Sequence, residues 1–232
     1  MRLQRGCGCA VLIWALLAAL AGGTALADEE DTAFYAGGNF GRARNRYDTN
    51  MLDSQLAESA SAAGDTLSIK ARSIQRMSDL WWVDAGYYFV PHVALEAGFV
   101  HLGEIRYQSV GTLGFHGVEQ PVHSIAEVSS HGPAVALAGR IPLTNALELD
   151  LKAGDYVAKA TLYSRLEVST REVTVVSSKS HSSPFAGAGL GYNLSAHWSV
   201  RADYVRFTKV GDSNSTGKFS VDTASLGARY TF

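Results

Sequence analysis

The chain has 232 residues, of which 47% are hydrophobic and 18% are charged, and its formal net charge is −2. A charge balance this close to neutral gives no indication of binding to nucleic acid. Beyond the N-terminal region no run of about 18 apolar residues occurs, so we expect no transmembrane helix there.

The N-terminus has the three parts of a secretory signal. Arg2 and Arg5 form a positive n-region, residues 10–21 (AVLIWALLAALA) form a short apolar h-region, and Ala25-Leu-Ala27 is a small-x-small cleavage site. The apolar run is too short for a membrane anchor. We therefore predict that residues 1–27 are removed on export.

Export changes the composition of the chain that remains. Cys7 and Cys9 both lie in the predicted signal, so the mature chain 28–232 has neither a disulfide nor a reactive thiol. The signal also removes two arginines and no acid, which leaves 18 Lys and Arg against 22 Asp and Glu. An exported, cysteine-free chain that is rich in glycine and aromatic residues suits an outer-membrane β-barrel.

Alternating apolar and polar residues predict strands along the whole mature chain. Eight such runs occur, at residues 33–42, 80–89, 93–107, 133–141, 146–163, 184–192, 198–207 and a last run that ends at 232. The connections between them alternate between long and short. Pro91 and Pro142 fall in two of the short ones, where a missing backbone donor does no harm. The long connections are four segments at about 43–78, 108–130, 164–182 and 209–219.

This rhythm predicts an all-β fold, an eight-stranded antiparallel up-and-down transmembrane β-barrel. Outer-membrane barrels have short periplasmic turns and longer extracellular loops, and an even number of strands leaves both termini in the periplasm. The alternative is a soluble lipocalin-like barrel or a β-sandwich, but such folds rarely sort long and short loops to opposite ends.

The last ten residues show the strictest alternation. Counting back from Phe232 in steps of two gives only apolar residues, and every residue between them is polar or small. Ten residues is the length of a tilted strand that crosses a bilayer. We interpret Phe232 and Tyr230 as a C-terminal signal for the barrel-assembly machinery, with the aromatic side chains at the edge of the lipid-facing surface.

Several segments resemble one known family. They are WSVRADYVRF, VGD and VDTASLGARYTF from residue 198 onward, VALEAGFVHLG at 93–103 and PFAGAGLGY at 184–192. With these segments the chain is similar to the OmpA-like transmembrane domain family, small eight-stranded barrels of the bacterial outer membrane. The resemblance covers the mature chain and implies a monomer. Because the sequence stops at Phe232, we expect no peptidoglycan-binding domain and no anchoring to the cell wall.

The alternation also predicts which charged residues face the lumen. A charge that faces lipid at mid-depth costs about 2–4 kcal/mol, so charges within the strands should point inward. Eight strands leave an interior that side chains can fill. We therefore expect a buried ionic network, made of Glu96, Glu148, Asp150, Lys152, Arg201 and Asp203.

Two interpretations of this network are possible. Paired carboxylates can serve acid–base catalysis, but mutual neutralisation inside a filled barrel is the simpler reading. The family resemblance implies that Glu96 and Arg201 form a central lumenal salt bridge and that Lys152 is a further charged lumenal position. If those groups exchange partners, a narrow ion pathway opens.

The long loops are expected to carry any specific binding. Lys70, Arg72 and Arg76 in the first loop, after a possible short helix at 50–58, are candidates for contact with lipopolysaccharide phosphates; the alternative is that they are simply solvated. Segments 122–128 and 166–176 have strand-like composition and are expected to extend the barrel wall. Their edges would then recruit a partner strand by β-augmentation.

The sequence contains only weak motifs for an enzyme. His116, His123, His131 and His181 have no metal-site spacing and are interpreted as surface residues, so neither a metal nor a cofactor is expected. His181-Ser-Ser183 is similar to the His-x-Ser of an outer-membrane lipid A deacylase, but that family continues with Asn where this chain has Pro184. We therefore do not expect an enzyme.

Taken together, the sequence predicts a bacterial outer-membrane barrel with a role in envelope structure or adhesion through its extracellular loops. A narrow porin-like channel is the alternative, and a lipid A-modifying hydrolase is a third candidate. The expected partners are membrane lipid, lipopolysaccharide, the assembly machinery and a host or surface ligand.

Overall fold

The computed structural model describes residues 33–46, 61, 66–115, 118–168, 171–211 and 219–232. The predicted signal at 1–27 and the predicted helix at 50–58 lie outside these ranges. Almost all described residues are in nine strands, namely β1 (Phe34–Arg46), β2 (Thr66–Gln75), β3 (Met77–Val90), β4 (Val93–Phe115), β5 (Val118–Pro142), β6 (Leu147–Val168), β7 (Arg171–Asn193), β8 (Trp198–Val210) and β9 (Phe219–Thr231).

The strands form a closed antiparallel ring. Consecutive strands from β3 to β9 pair with each other, and β1 pairs with both β3 and β9, so the first and last strands close the wall. Only Arg76 separates β2 from β3, and both pair with β4, so together they form one broken wall strand. The wall therefore has eight strands, which confirms the predicted antiparallel up-and-down transmembrane barrel.

The two ends of the barrel differ in the length of their connections. At one end β3 and β4 are joined by Pro91–His92, β5 and β6 by residues 143–146, and β7 and β8 by residues 194–197. At the other end β4 and β5 extend beyond the ends of the shorter strands, and only residues 116–117 separate them. The same holds for β6 and β7, which residues 169–170 separate.

The strand boundaries therefore differ from those expected. Segments 108–130 and 164–182 were expected to be loops in which only 122–128 and 166–176 extend the barrel wall, but they consist almost entirely of paired strand. Their valines, isoleucines and threonines favour extended backbone, so the hairpins continue far beyond the apolar band. Of the first expected loop, residues 43–46, 66–75 and 77–78 are also strand, and most of the fourth, at 212–218, lies outside the described residues.

The barrel is apolar outside and charged inside. Phe40, Leu226 and Phe232 are between 71% and 75% exposed, whereas Glu96 is 1% and Arg201 is 3% exposed. In water this arrangement would leave apolar side chains solvated and charges desolvated. It is the stable arrangement where lipid surrounds the wall. Within the described ranges, no helix has the length and apolar character needed to cross a membrane.

Aromatic side chains mark the edge of the apolar band next to the short turns. Phe34 lies 4.6 Å from Tyr87, measured between ring centres. Tyr230 lies 5.0 Å from both Trp198 and Phe232. Rings at this level are typical of the interface between lipid and water in outer-membrane barrels.

A second aromatic group marks the opposite edge, next to the long hairpins. Trp81 stacks on Phe99 at 5.7 Å and on His101 at 5.4 Å, and His131 lies 6.2 Å from Phe99. Just beyond it Gly103 adopts a φ of 72° and the pairing of β4 with β5 shifts register. A glycine is needed there because other residues rarely adopt a positive φ.

Candidate functional site

The lumen contains two layers that follow each other along the strands. On β3, β4, β6 and β8 the inward-facing charges come nearer the short turns, and inward-facing apolar residues come nearer the hairpins. On β8, for example, Arg201 and Asp203 are followed by Val205 and Phe207, all of them buried. Alternation of faces along each strand places all of these side chains inside the ring.

The structure places all six predicted network residues in the first layer. They come from three strands, and each is at most 6% exposed: Glu96, Glu148, Asp150, Lys152, Arg201 and Asp203. Glycines on the facing strand make room for them. A Cβ at Gly191 would lie 2.7 Å from Glu148 Cγ, which is closer than packed atoms tolerate.

Glu96 and Lys152 form the central ion pair. Lys152 Nζ lies 3.1 Å from Glu96 Oε1, and both side chains are at most 3% exposed. The Tyr35 hydroxyl donates a hydrogen bond of 3.0 Å to the other oxygen, Glu96 Oε2. Both oxygens of the carboxylate are therefore hydrogen-bonded, which offsets much of the cost of burying its charge.

Arg201 has different partners from those that the family resemblance implied. Its Nη2 donates to Asp203 Oδ2 at 3.1 Å, and its Nε lies 3.7 Å from Asp150 Oδ2. No salt bridge between Glu96 and Arg201 occurs among the described residues. Asp203 is two positions away on the same face of β8, so the short-range pair forms without bending the backbone.

Arg229 is a member of the network that the sequence analysis did not single out. Its Nη1 donates to the Tyr88 hydroxyl at 3.1 Å and lies 3.4 Å from Glu148 Oε1. Its Nη2 lies 3.5 Å from Asp150 Oδ1, and its guanidinium sits 4.5 Å above the ring of Tyr35. Its alternation with Tyr230 in the last strand was a signal that it faces inward.

Asp84 completes the acidic side of the network. Asn39 Nδ2 donates to Asp84 Oδ2 at 3.3 Å, and both residues are buried. Five buried carboxylates thus face three buried cations, Lys152, Arg201 and Arg229. Arg140 adds a fourth positive charge at the rim, where it lies 4.3 Å above the ring of Tyr88 and donates to the Pro91 carbonyl.

The second layer is an apolar plug between this network and the hairpins. Phe207 lies 5.1 Å from Phe185, 5.4 Å from Tyr156 and 6.0 Å from Trp82, measured between ring centres. Leucine, valine and alanine side chains pack around these rings in one continuous cluster. We name the four rings the aromatic plug. They pack inside the ring of eight strands, whose interior is narrow enough for side chains to fill.

The sequence as a whole matches one family model. Residues 29–232 match the OmpA-like transmembrane domain. The chain belongs to this family. No curated protein matches the chain in sequence.

Several solved structures resemble this OmpA-like barrel. Neisserial surface protein A has 12% identity, a TM-score of 0.43, and coverage of 88% of this chain and 100% of that one. The outer-membrane protein OprG from Pseudomonas aeruginosa has 12% identity, a TM-score of 0.45, and coverage of 86% and 95%. The outer-membrane protease OmpT from Escherichia coli has 12% identity, a TM-score of 0.45, and coverage of 90% and 99%.

The other predicted residues of this OmpA-like barrel lie away from the lumenal network. Lys70 and Arg72 are exposed on β2, and Arg76 is exposed between β2 and β3. Arg72 pairs in register with Ser109, whose side chain is buried on the inner face, so Arg72 belongs to the inner face of the extended wall. Phe232 is exposed at the short-turn edge of the apolar band.

The serine of the segment that resembled a hydrolase motif is hydrogen-bonded to the backbone of a neighbouring strand. Ser183 is fully buried, and its hydroxyl donates to the Lys209 carbonyl at 3.2 Å. Among the described residues, no group of three or more His, Cys, Asp or Glu side chains is placed to hold a metal ion. His131 takes part in the aromatic edge described above, and His123 is exposed.

Proposed function

We propose that this chain is a closed, non-conducting outer-membrane barrel that supports the envelope and binds surface ligands through its long hairpins. The observation that carries the proposal is the aromatic plug, in which Trp82, Phe185 and Phe207 pack within 6.0 Å of one another. A packed apolar cross-section without a continuous polar path has a high barrier to hydrated ions.

The hairpins supply the binding surface in this proposal. Pairing between β5 and β6 continues as far as Val122 and Val168, well beyond the apolar band. The β7 strand pairs with β8 only from Phe185 onward, so within the described part of the chain the backbone of residues 171–183 is in ladder pairing with β6 alone. Val175 and Val176 on this segment are 54% and 63% exposed. An edge of this kind suits β-augmentation by an extended segment of another protein.

We infer the membrane orientation from the two unequal ends. We place the short turns and both termini in the periplasm and the long hairpins outside the cell, because this is how outer-membrane barrels are inserted. The aromatic residues Tyr230 and Phe232 then lie at the periplasmic edge, where the assembly machinery would read them. The barrel acts as a monomer with membrane lipid and lipopolysaccharide around its wall.

Shortened hairpins test the surface role. One variant lacks residues 105–128 and 161–178, and an Asn-Gly turn joins the register pairs Glu104–Ser129 and Ala160–Lys179. A folded barrel should still migrate as a heat-modifiable band. Binding of bacteria that carry the variant to a cultured epithelial cell layer should fall to the level of a strain without the protein. Full binding by the shortened barrel would contradict the proposed role of the hairpins.

Planar-bilayer recordings on refolded residues 28–232 test the closed lumen against a porin-like channel. A silent, folded barrel is the expected result. Stable conductance steps that change in Arg201→Ala would favour the channel instead, since Arg201 lies at the centre of the ionic network. The buried, backbone-bonded hydroxyl of Ser183 supports the proposal that the protein is not a lipid A hydrolase.

A further inference from the structure

The outer wall of the barrel carries a cluster of arginines at one edge of the apolar band. Arg42, Arg44 and Arg46 alternate along β1, so all three side chains lie on its outer face. Arg44 pairs in register with Asp222 of β9, which pairs with Arg206 of β8. Neighbouring strands lie about 4.8 Å apart, so the four arginines share one small area of the wall.

Two aspartates hold part of this cluster in place. Asp222 is only 6% exposed; Arg46 Nε bonds to its Oδ2, and Arg206 Nε lies 3.7 Å from its Oδ1. Arg42 Nη1 pairs with Asp79 Oδ1 at 2.7 Å. Within the described part of the chain, no ion pair involves Arg44. Four arginines and two aspartates give the cluster a net charge of +2. The paired arginines Arg42, Arg46 and Arg206 are still 48–64% exposed.

An apolar depression leads away from the arginines along the lipid-facing wall. It is shallow and open, and Arg42 is among its lining residues. The small side chains of Ala188, Ala202 and Ala224 lie among its lining residues. Phe40 and Tyr204 also line it and are 75% and 52% exposed. A cationic head beside an apolar trough matches a molecule that has an anionic group joined to a hydrocarbon chain.

We propose that this surface is a binding site for lipopolysaccharide. The lipid A phosphates contact Arg42, Arg44 and Arg206, and one acyl chain lies in the depression. Guanidinium groups suit this role because they bind phosphate oxygens in a bidentate manner. The net charge of +2 fits a lipid that carries two phosphates better than a phospholipid that carries one.

The proposal rests on the orientation given under Proposed function. The arginines lie at the hairpin end of the band, and in that orientation they face the outer leaflet, where lipopolysaccharide is the main lipid. The site is separate from the candidates Lys70, Arg72 and Arg76 at β2, of which Arg72 lies on the inner face of the wall.

A binding measurement in detergent tests the site independently of orientation. Refolded residues 28–232 are titrated with purified hexa-acylated lipopolysaccharide, with the same lipid after removal of the lipid A phosphates, and with phosphatidylglycerol, and adducts are counted by native mass spectrometry. The variant is Arg44→Ala with Arg206→Ala. The control is Arg165→Ala, which removes an arginine that is 39% exposed from the β6–β7 hairpin. Heat-modifiable migration verifies that each barrel is folded.

We expect intact lipopolysaccharide to bind the wild type and the control at least about tenfold more tightly than the double variant, because each phosphate contact is a charge-assisted hydrogen bond. Arg44→Lys with Arg206→Lys should recover part of the affinity. Equal binding by double variant and control, or by dephosphorylated lipid, would overturn the proposal. Equal binding of phosphatidylglycerol would overturn the assignment to lipopolysaccharide.

Whole-cell labelling tests the orientation of the barrel separately from lipid binding at the site. A Thr161→Cys barrel, in a mature chain without other cysteines, should react with a membrane-impermeant maleimide if the hairpins face outward. Binding in detergent without labelling would refute the orientation and, with it, access to the lipopolysaccharide leaflet. Labelling without binding would refute the site alone.

Discussion

The ammonium group of Lys152 lies 4.5 Å from the centre of the Trp82 ring. The same ammonium is paired with Glu96, so one side chain connects the ionic network to the aromatic plug. A cation above an indole face is attracted by the negative face of the ring. The polar and apolar layers of the lumen are therefore joined by a direct contact, and a change in one layer should be felt in the other.

Removal of the Lys152 charge should strongly destabilise the barrel. In Lys152→Met the buried Glu96 carboxylate keeps only the hydrogen bond from Tyr35, and we expect the free energy of unfolding to fall by about 3–5 kcal/mol. Urea unfolding of the barrel in lipid vesicles measures this change. The double variant Glu96→Gln with Lys152→Met removes both charges and should recover most of the loss. A double variant as unstable as the single one would show that the unpaired charge is not the cause.

Shrinking the aromatic plug should make the barrel conduct. The variant Trp82→Ala with Phe207→Ala removes two of the four rings, and water can then enter the cross-section that they filled. We expect single-channel steps in a planar bilayer where the wild type gives none. Trp81→Ala is the matched control, since the neighbouring Trp81 ring faces the lipid side and stacks on Phe99. Silent recordings from the plug variant would mean that the ionic layer closes the lumen by itself.

A methyl group at Gly191 should disturb the ionic network. It would collide with the Glu148 side chain, which also pairs with Arg229, so we expect a loss of about 1–3 kcal/mol on unfolding. Gly139→Ala provides the comparison, because the nearest atom to a Cβ there is the His92 carbonyl oxygen at 3.8 Å. The urea midpoint of Gly191→Ala should be clearly lower than that of Gly139→Ala. Similar midpoints would argue against crowding at Gly191.

Loss of the terminal ring should reduce the yield of inserted barrel. In Phe232→Ala the ring that packs against Tyr230 at 5.0 Å is removed. If Phe232 is part of the assembly signal, the folded fraction in the outer membrane should fall several-fold while the stability of the inserted barrel changes little. Phe34→Ala removes a ring from the same edge and should leave the yield near that of the wild type. Equal losses in both variants would assign Phe232 to the aromatic edge only.

Alternation in the sequence was enough to predict the wall of the barrel, because a period of two decides which face each side chain takes. Arg201 and Lys152 were therefore expected inside, where the structure has them. The pairing partners within the lumen were harder to predict. Glu96 on β4 pairs with Lys152 on β6, and such contacts depend on the stagger of the strands rather than on spacing along them. Arg229 was missed because its acidic partners lie on β6, far away in sequence.

The aromatic plug and the full length of the hairpins were not predicted from the sequence, for a different reason. At Trp81 and Trp82 both faces of the strand are aromatic, so the alternation weakens where a ring enters the lumen. Residues 122–128 and 166–176 were expected from their strand-like composition to extend the barrel wall, but the rest of segments 108–130 and 164–182 was expected to be loop. They are strands because each bonds to its neighbour along the whole length, which composition alone does not report.

Closure of the wall between β1 and β9 has a consequence for synthesis. Tyr35 pairs with Thr231, at opposite ends of the described chain. Until the last strand arrives, every partly built sheet presents two unpaired backbone edges, and the pairing that removes them has the largest loop to close. The barrel must therefore be kept from joining other open sheets throughout its passage to the membrane, and the step that ends this exposure is also the entropically most costly one.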